Sequence, residues 1–133
     1  MSAILETLTP AYILKLHIQR DTYIRENVPK TNLKGCIYYD DKKNSKSPSL
    51  KVLYLDKKNQ EDSKMIRLHK IMFFLRYRKN DEISHRCHLS SCINPEHMIL
   101  ESHQNNCLRR TCKKTQKCEG HGQRDDFCIF WCE

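Results

Sequence analysis

Residues 84–107, SHRCHLSSCINPEHMILESHQNNC, crowd His85, His88, His97 and His103 together with Cys87, Cys92 and Cys107, and carry Asn105 and Asn106 near their end. Thiolate and imidazole are the side chains zinc prefers, and imidazole is also the commonest general base. Such a stretch can be a disulfide knot, a structural metal site or the wall of an active site. Cys87, Cys92 and His97 follow the spacing Cys-x4-Cys-x4-His, with a turn, Asn94-Pro95, just before the histidine. A closed zinc site takes four tetrahedral ligands, so the fourth must come from elsewhere. Cys36 is the only cysteine upstream.

A second set follows in CKKTQKCEGHGQRDDFC: Cys112, Cys118 and His121, with either Cys128 or Cys132 as the fourth. That segment has loop composition and too little apolar surface to hold itself, so a metal would order it. Cys107 and one of the last two cysteines are left unassigned. Eight cysteines also permit a disulfide framework, which does not need histidines at short spacings beside them. The N-terminus, MSAILETLTPAYILKL, lacks a basic region, carries Glu6 and is broken by Thr9-Pro10, so no signal peptide is expected. A reducing, intracellular compartment follows, where disulfides persist poorly. Metal is the better reading.

With those ligands set aside, His85 and Asn106 stand out. EISHRC and HMILES read as strands, and Ser102 is placed to cap a helix from His103 to about Arg110. The order strand, metal-tied loop, strand, helix lets the fold bring His85, at a strand end, near Asn106, one turn into the helix. An imidazole to take a proton from water and an amide oxygen to hold a hard cation such as Mg²⁺ are the parts for hydrolysing a phosphodiester.

The chain that must position them has 133 residues, with 38% apolar and 30% charged residues. One α+β domain with a modest, stapled core is expected, with no room for a second large core and no run long enough to span a membrane. The formal net charge is +8, and residues 42–79 hold twelve Lys and Arg against Asp56, Glu61 and Asp62. That bias favours a polyanionic partner, through release of condensed counterions.

Thr9-Pro10 reads as an N-cap and first helical position, and apolar spacing predicts a helix over about 10–27. KGCIYYD (34–40) and LKVLYLD (50–56) predict two antiparallel strands joined by the basic segment DKKNSKSPS, a ribbon able to enter a DNA major groove. KMIRL (64–68) predicts a third strand and HKIMFFLRYR (69–78) a core-facing helix. The expected parts are thus a helical segment over 1–30, a basic sheet and helix over 34–80, a ββα catalytic motif with the first zinc over 83–110, and a second zinc loop over 111–133.

The string His85-x-Cys87-x4-Cys92-x4-His97, with Asn106 nine residues beyond, resembles the His-Cys box homing endonucleases, zinc-containing members of the ββα-metal (His-Me finger) nucleases. The likeness is dense from Ser84 to Cys118. It implies His85 as general base and Asn106, with Asn105 its neighbouring rival, as Mg²⁺ ligand. Cys87, Cys92 and His97 match ligands of a first structural zinc, and Cys112, Cys118 and His121 those of a second. It further implies an arginine on a sheet strand that steadies the transition state, for which Arg67 is the candidate. A sheet that reads the major groove of double-stranded DNA and a homodimer cutting both strands also follow from the resemblance.

Two departures stand out. Cys36 lies a few residues from the place a simple alignment gives the fourth ligand of the first zinc. The second set is spaced Cys-x5-Cys-x2-His-x6-Cys, where the family has Cys-x6-Cys-x-His-x3-Cys. The chain ends at Glu133, short of the long C-terminal arm with which a well-known member embraces its partner, so assembly by that arm is not expected.

The expectation is a Mg²⁺-dependent, site-specific DNA endonuclease with two structural Zn²⁺, acting in the nucleus. Its rival is a zinc-stabilised DNA-binding module without cleavage, which would have no need of His85 and Asn106.

Overall fold

Thr9 adopts the extended N-cap conformation ahead of Pro10, although its side chain makes no capping bond, and the helix it starts is the longest of the chain's described elements. The computed structural model describes residues 3–39, 47–77, 82–118 and 128. Within them a short helix α1 (Ala3–Glu6) leads into α2 (Pro10–Glu26). Asn27 stops α2, its main-chain and side-chain nitrogens both donating to the Tyr23 carbonyl. Tyr12, Ile13, Leu16, Tyr23 and Ile24 turn toward the core, while Leu14 and Ile18 stay exposed.

Strands β1 (Lys30–Thr31) and β2 (Ile37–Tyr38) pair antiparallel across a tight turn. The Asn32 Oδ1 accepts main-chain hydrogen bonds from Lys34 and Cys36, both 3.0 Å, and Gly35 supplies φ +86°. A Cβ there would lie 3.4 Å from His97 Nε2, so the turn sits tightly against the loop that carries His97.

Strands β3 (Ser49–Leu55) and β4 (Glu61–Arg67) form a hairpin, and this corrects the sequence expectation. The stretch around Ile37 and the stretch around Val52 do not pair with each other; each finds a partner close by in the chain. The connection after β3 explains why. Asp56 Oδ1 accepts from the main-chain nitrogens of Lys58 (2.8 Å) and Gln60 (2.9 Å), and Asn59 takes the left-handed conformation at φ 58°. Such an Asx turn closes the short Asp56–Gln60 connection, which costs less chain entropy than the long basic segment before Ser49. The hairpin alternates: Leu50, Val52 and Ile66 point inward, and Lys51, Leu53 and Met65 point out.

Helix α3 (Leu68–Tyr77) follows β4 directly, and its first nitrogen donates to the Pro48 carbonyl at 2.7 Å. Leu68, Ile71, Phe74 and Leu75 join Leu16, Leu50, Val52 and Ile66 in one core where α2, α3 and the hairpin meet. Ile93 reaches the same core from the loop between Cys92 and His97.

Strand β5 (Ile83–His85), a 3-10 turn (Pro95–His97), strand β6 (Met98–Leu100) and α4 (His103–Thr115) complete the described fold. Strands β5 and β6 are antiparallel, with His85 opposite Met98. Ser102 caps α4, its hydroxyl accepting from the Asn105 nitrogen at 3.2 Å. This is the predicted strand–loop–strand–helix, but α4 runs past Arg110 to Thr115, so Cys112 stands on a helix rather than in a loop. Gln116 ends it in the left-handed conformation, φ 54°. The chain is a small α+β domain of short antiparallel sheets and helices, with a group of three Cys and one His and a group of three Cys among the described residues.

Candidate functional site

The first group collects Cys36 from the end of the β1–β2 turn, Cys87 and Cys92 from the loop after β5, and His97 from the 3-10 turn. All four are buried, and their sulfur and ring-nitrogen atoms lie within 4.8 Å of one another. His97 Nδ1 is 3.5 Å from Cys36 Sγ and 3.8 Å from Cys92 Sγ. The Ile93 nitrogen donates to the Ile37 carbonyl (2.7 Å), and Asn94 Nδ2 to the Gly35 carbonyl (2.7 Å), so one main-chain and one side-chain bond already fasten the loop to the first hairpin. The hydrogen bond from Cys87 holds the Cys92 thiol down, to about 6, and Cys87 is correspondingly pushed up. Cys36 is disulfide-bonded in this structure, whereas Cys87 and Cys92 are free. With Cys36 reduced, a buried set of three sulfurs and one imidazole that includes a thiol poised to ionise is the chemistry of a closed zinc site, and the set fits it.

The second group brings the sulfurs of Cys112, Cys118 and Cys128 within 4.8 Å of one another. The Cys128 nitrogen donates to Cys118 Sγ at 3.2 Å. Three sulfurs at this spacing also fit zinc. His121 and Cys132, the other two residues expected here, lie outside the described residues. Cys107 belongs to neither group, its sulfur lying 3.4 Å from His103 Nε2.

Between β4, β5 and α4 opens a cleft of about 460 Å³, lined among others by Arg67, His69, His85, Asn106, Arg110 and Lys113. Residues that the sequence separates by tens of positions therefore share one wall. His85 ends β5, and its Nε2 lies 2.9 Å from the Cys92 carbonyl oxygen. A carbonyl can only accept, so Nε2 carries the proton and Nδ1 is the ring's lone-pair nitrogen. Burial pushes this imidazole down, to about 4, with the Cys92 carbonyl opposing, so the ring is neutral near pH 7.

Asn106 sits one turn into α4, as the Ser102 cap predicts, and its Nδ2 donates to Glu82 Oε1 at 2.6 Å. That bond assigns the amide's orientation and leaves Oδ1 as an acceptor. Glu82 also takes His103 Nδ1 at 3.2 Å, and the Asn106 hydrogen bond holds its carboxyl below the usual range. Of the two rival asparagines, Asn106 is the one among the cleft's lining residues. Arg67, the last residue of β4, anchors Nη1 on the Ser47 carbonyl at 2.9 Å and lines the same cleft.

Several members of this site carry no local signal in the sequence. Glu101, just after β6, and Arg109, on α4, form a bidentate pair at 2.7 and 2.8 Å, each side chain only 2% exposed. The pair fastens the helix bearing Asn106 to the strand beside His85. Removing one partner leaves a buried charge uncompensated, so Glu101→Ala is expected to lower stability by about 3–5 kcal/mol in chemical denaturation. A loss below about 1 kcal/mol would mean that water reaches the guanidinium in the variant. Glu82, Ser47 and His69 are likewise tertiary partners, and only His69, a second imidazole beside the predicted strand, carries a chemical hint.

Residues 13–130 match the family model for the zinc-binding loop region of homing endonucleases. The match spans most of the chain and takes in both cysteine groups and the cleft. The chain belongs to the homing-endonuclease zinc-binding loop family. No curated protein and no solved structure matches it. Membership links the chain to nucleases that act on DNA, and the matched residues include both groups of candidate metal-binding side chains. Among the described residues, no helix is long and apolar enough to cross a membrane.

Proposed function

We propose that this homing-endonuclease relative is itself a Mg²⁺-dependent endonuclease that cleaves double-stranded DNA at particular sites. One observation carries the reading: His85, Asn106 and Arg67, drawn from three separate elements, line one basic cleft. His85 Nδ1 takes a proton from a water molecule, and the resulting imidazolium is steadied through Nε2–H by the Cys92 carbonyl. The water oxygen forms a bond to phosphorus as the bond to the leaving oxygen breaks, and solvent protonates the leaving group. Arg67 faces the phosphate with a guanidinium that neutralises charge building on its oxygens. Asn106 Oδ1, oriented by Glu82, is the hard oxygen that would hold Mg²⁺. When bound, that ion supplies positive charge to the phosphate and leaving oxygens.

Cys36, Cys87, Cys92 and His97 are the proposed ligands of one structural zinc. Cys112, Cys118 and Cys128, with His121, are those of the second. The first zinc loop carries the Cys92 carbonyl, so in this reading metal binding and orientation of the base are one device. The DNA-facing surface is the outer face of β3–β4, where Lys51 pairs with Met65, Leu53 with Ser63 and Ser49 with Arg67. This face is continuous with the cleft because Arg67 belongs to both. With one cleft of this His85–Asn106–Arg67 kind among the described residues, a homodimer would cut both strands, and a nuclear location goes with that substrate.

The test uses zinc-loaded protein dialysed free of magnesium and a plasmid pool with randomised inserts. Cleavage should be absent until Mg²⁺ is added, and Asn106→Ala should need much more Mg²⁺ for the same rate. Arg67→Ala should lower the turnover rate by about 10²–10³-fold, as loss of one transition-state donor does, with both zinc ions retained. Salt-sensitive duplex binding with no cleavage at any Mg²⁺ concentration would favour the non-catalytic DNA-binding module instead.

A further inference from the structure

The nuclease reading assigns no task to His69, yet its side chain is one of the most constrained in the cleft. It begins the second position of α3, two residues after Arg67, and its Nδ1 lies 2.7 Å from Ser47 Oγ. The same hydroxyl oxygen accepts the main-chain N–H of His69 at 3.3 Å. Ser47 is fully buried, so its hydroxyl proton needs a partner, and His69 Nδ1 is the acceptor it meets among the described residues. His69 is therefore the Nε2–H tautomer. Neighbouring bonds hold Ser47 itself in place: its carbonyl accepts Arg67 Nη1, and the next carbonyl, of Pro48, accepts the Leu68 nitrogen at 2.7 Å.

Against this fixed ring stands His85. The two ring centroids are 4.9 Å apart at an interplanar angle of 60°, an edge-to-face contact. Among the described residues, His85 has one hydrogen bond of its own, from Nε2 to the Cys92 carbonyl. A single bond at one corner of an imidazole leaves the ring free to pivot, and pivoting would carry Nδ1 off the line to the water it must deprotonate. A second contact on the ring removes that freedom.

We infer that His69 is a positioning residue for His85: Ser47 locks the His69 imidazole, and the His69 ring, packed edge-to-face on His85, holds the base nitrogen in its working direction. This rests on the reading of His85 as the general base. Burial, with His85 and the cations Lys70 and Arg67 nearby, pushes the His69 imidazole down to about 3. His69 thus stands beside the base without bringing a positive charge to it. The consequence is a triad of contacts, Ser47–His69–His85, running into the cleft. Arg67 hangs from the same Ser47, so one buried serine sets the direction of both the base and the phosphate-facing guanidinium.

The experiment compares His69→Ala, His69→Phe and Ser47→Ala with the parent in zinc-loaded full chain. Steady-state cleavage of a DNA site selected from the randomised pool is one readout, and ¹⁵N NMR of the His85 ring the other. His69→Ala should lower kcat by about 10²-fold while leaving KM nearly unchanged, the cost typical of a reacting group displaced by an ångström. His69→Phe, which restores a ring edge, should recover part of that loss, and Ser47→Ala should show a smaller loss of the same kind. In the NMR spectrum the single Nε2–H signature of His85 should give way to averaging in His69→Ala. Zinc content equal to that of the parent guards against misfolding as the cause. Parental kcat together with an unchanged His85 signature would overturn the inference, as would a loss confined to KM, which marks a substrate contact. If the parent itself does not cleave DNA, the nuclease reading fails, and the NMR comparison still decides whether His69 orients His85.

Discussion

His85→Ala should abolish DNA cleavage while leaving zinc content, fold and duplex affinity unchanged. A positioned general base contributes about 10²–10⁴-fold to rate, and in this cleft no other imidazole combines an anchored Nε2–H with a place at the end of β5. His69 is locked on Ser47 through Nδ1, the nitrogen a base would need in that tautomer. The loss should therefore lie near the upper end of the range and should not be recovered in His85→Gln, which keeps polarity without a proton-accepting nitrogen. Residual activity above one tenth of the parent's would mean that water is activated by another group.

Removing the first metal should unfold the domain. Cys92→Ala deletes one of the four buried Cys and His donor atoms that lie within 4.8 Å of one another and are the proposed zinc ligands. Structural zinc in small domains contributes about 10–16 kcal/mol of apparent free energy near neutral pH, whereas a domain's whole stability is about 5–15 kcal/mol. The comparison decides the outcome: the apolar core around Leu16, Val52, Ile71 and Phe74 cannot make up the difference. The variant should lose one zinc in native mass spectrometry and its cooperative thermal transition with it. Cys107→Ala, at a cysteine in neither group, should keep both. A cooperative transition in Cys92→Ala at the parental temperature would show that the buried group is held by packing and not by metal.

Much of the site was readable in the sequence because its signals are local. The Cys87–Cys92–His97 spacing, the Asn94-Pro95 turn and the Ser102 cap lie within one short segment, and each acts over a few residues, so the strand–loop–strand–helix emerged nearly as expected. Thr9-Pro10 and helical apolar spacing did the same for α2. Strand partnership was another matter. β-Propensity around Ile37 and Val52 says that each is extended but not which strand it joins. The deciding signal was the Asp56 turn, whose side chain gathers the nitrogens of Lys58 and Gln60 and folds β3 onto β4. The proposed reading surface moves accordingly, from a ribbon of the strands expected at 34–40 and 50–56 to the outer face of β3–β4. The end of α4 was missed because Cys112 and its charged neighbours look like loop, while the helix continues under them as far as Gln116. Glu101 with Arg109, Glu82 with Asn106 and Ser47 with His69 are pairings across the fold, set by how α4 and α3 pack, and no single-chain spacing rule reports them.

The most direct measurement is a side-by-side time course of zinc-loaded parent and His85→Ala on a plasmid pool with randomised inserts in Mg²⁺, the ends read by sequencing. A randomised pool is needed because a rare-cutting enzyme can ignore any one plasmid. The account predicts ends that accumulate at a small set of related sequences with the parent and are absent with the variant. Equal accumulation with both proteins, or none with the parent while it holds its zinc and binds duplex, would contradict it.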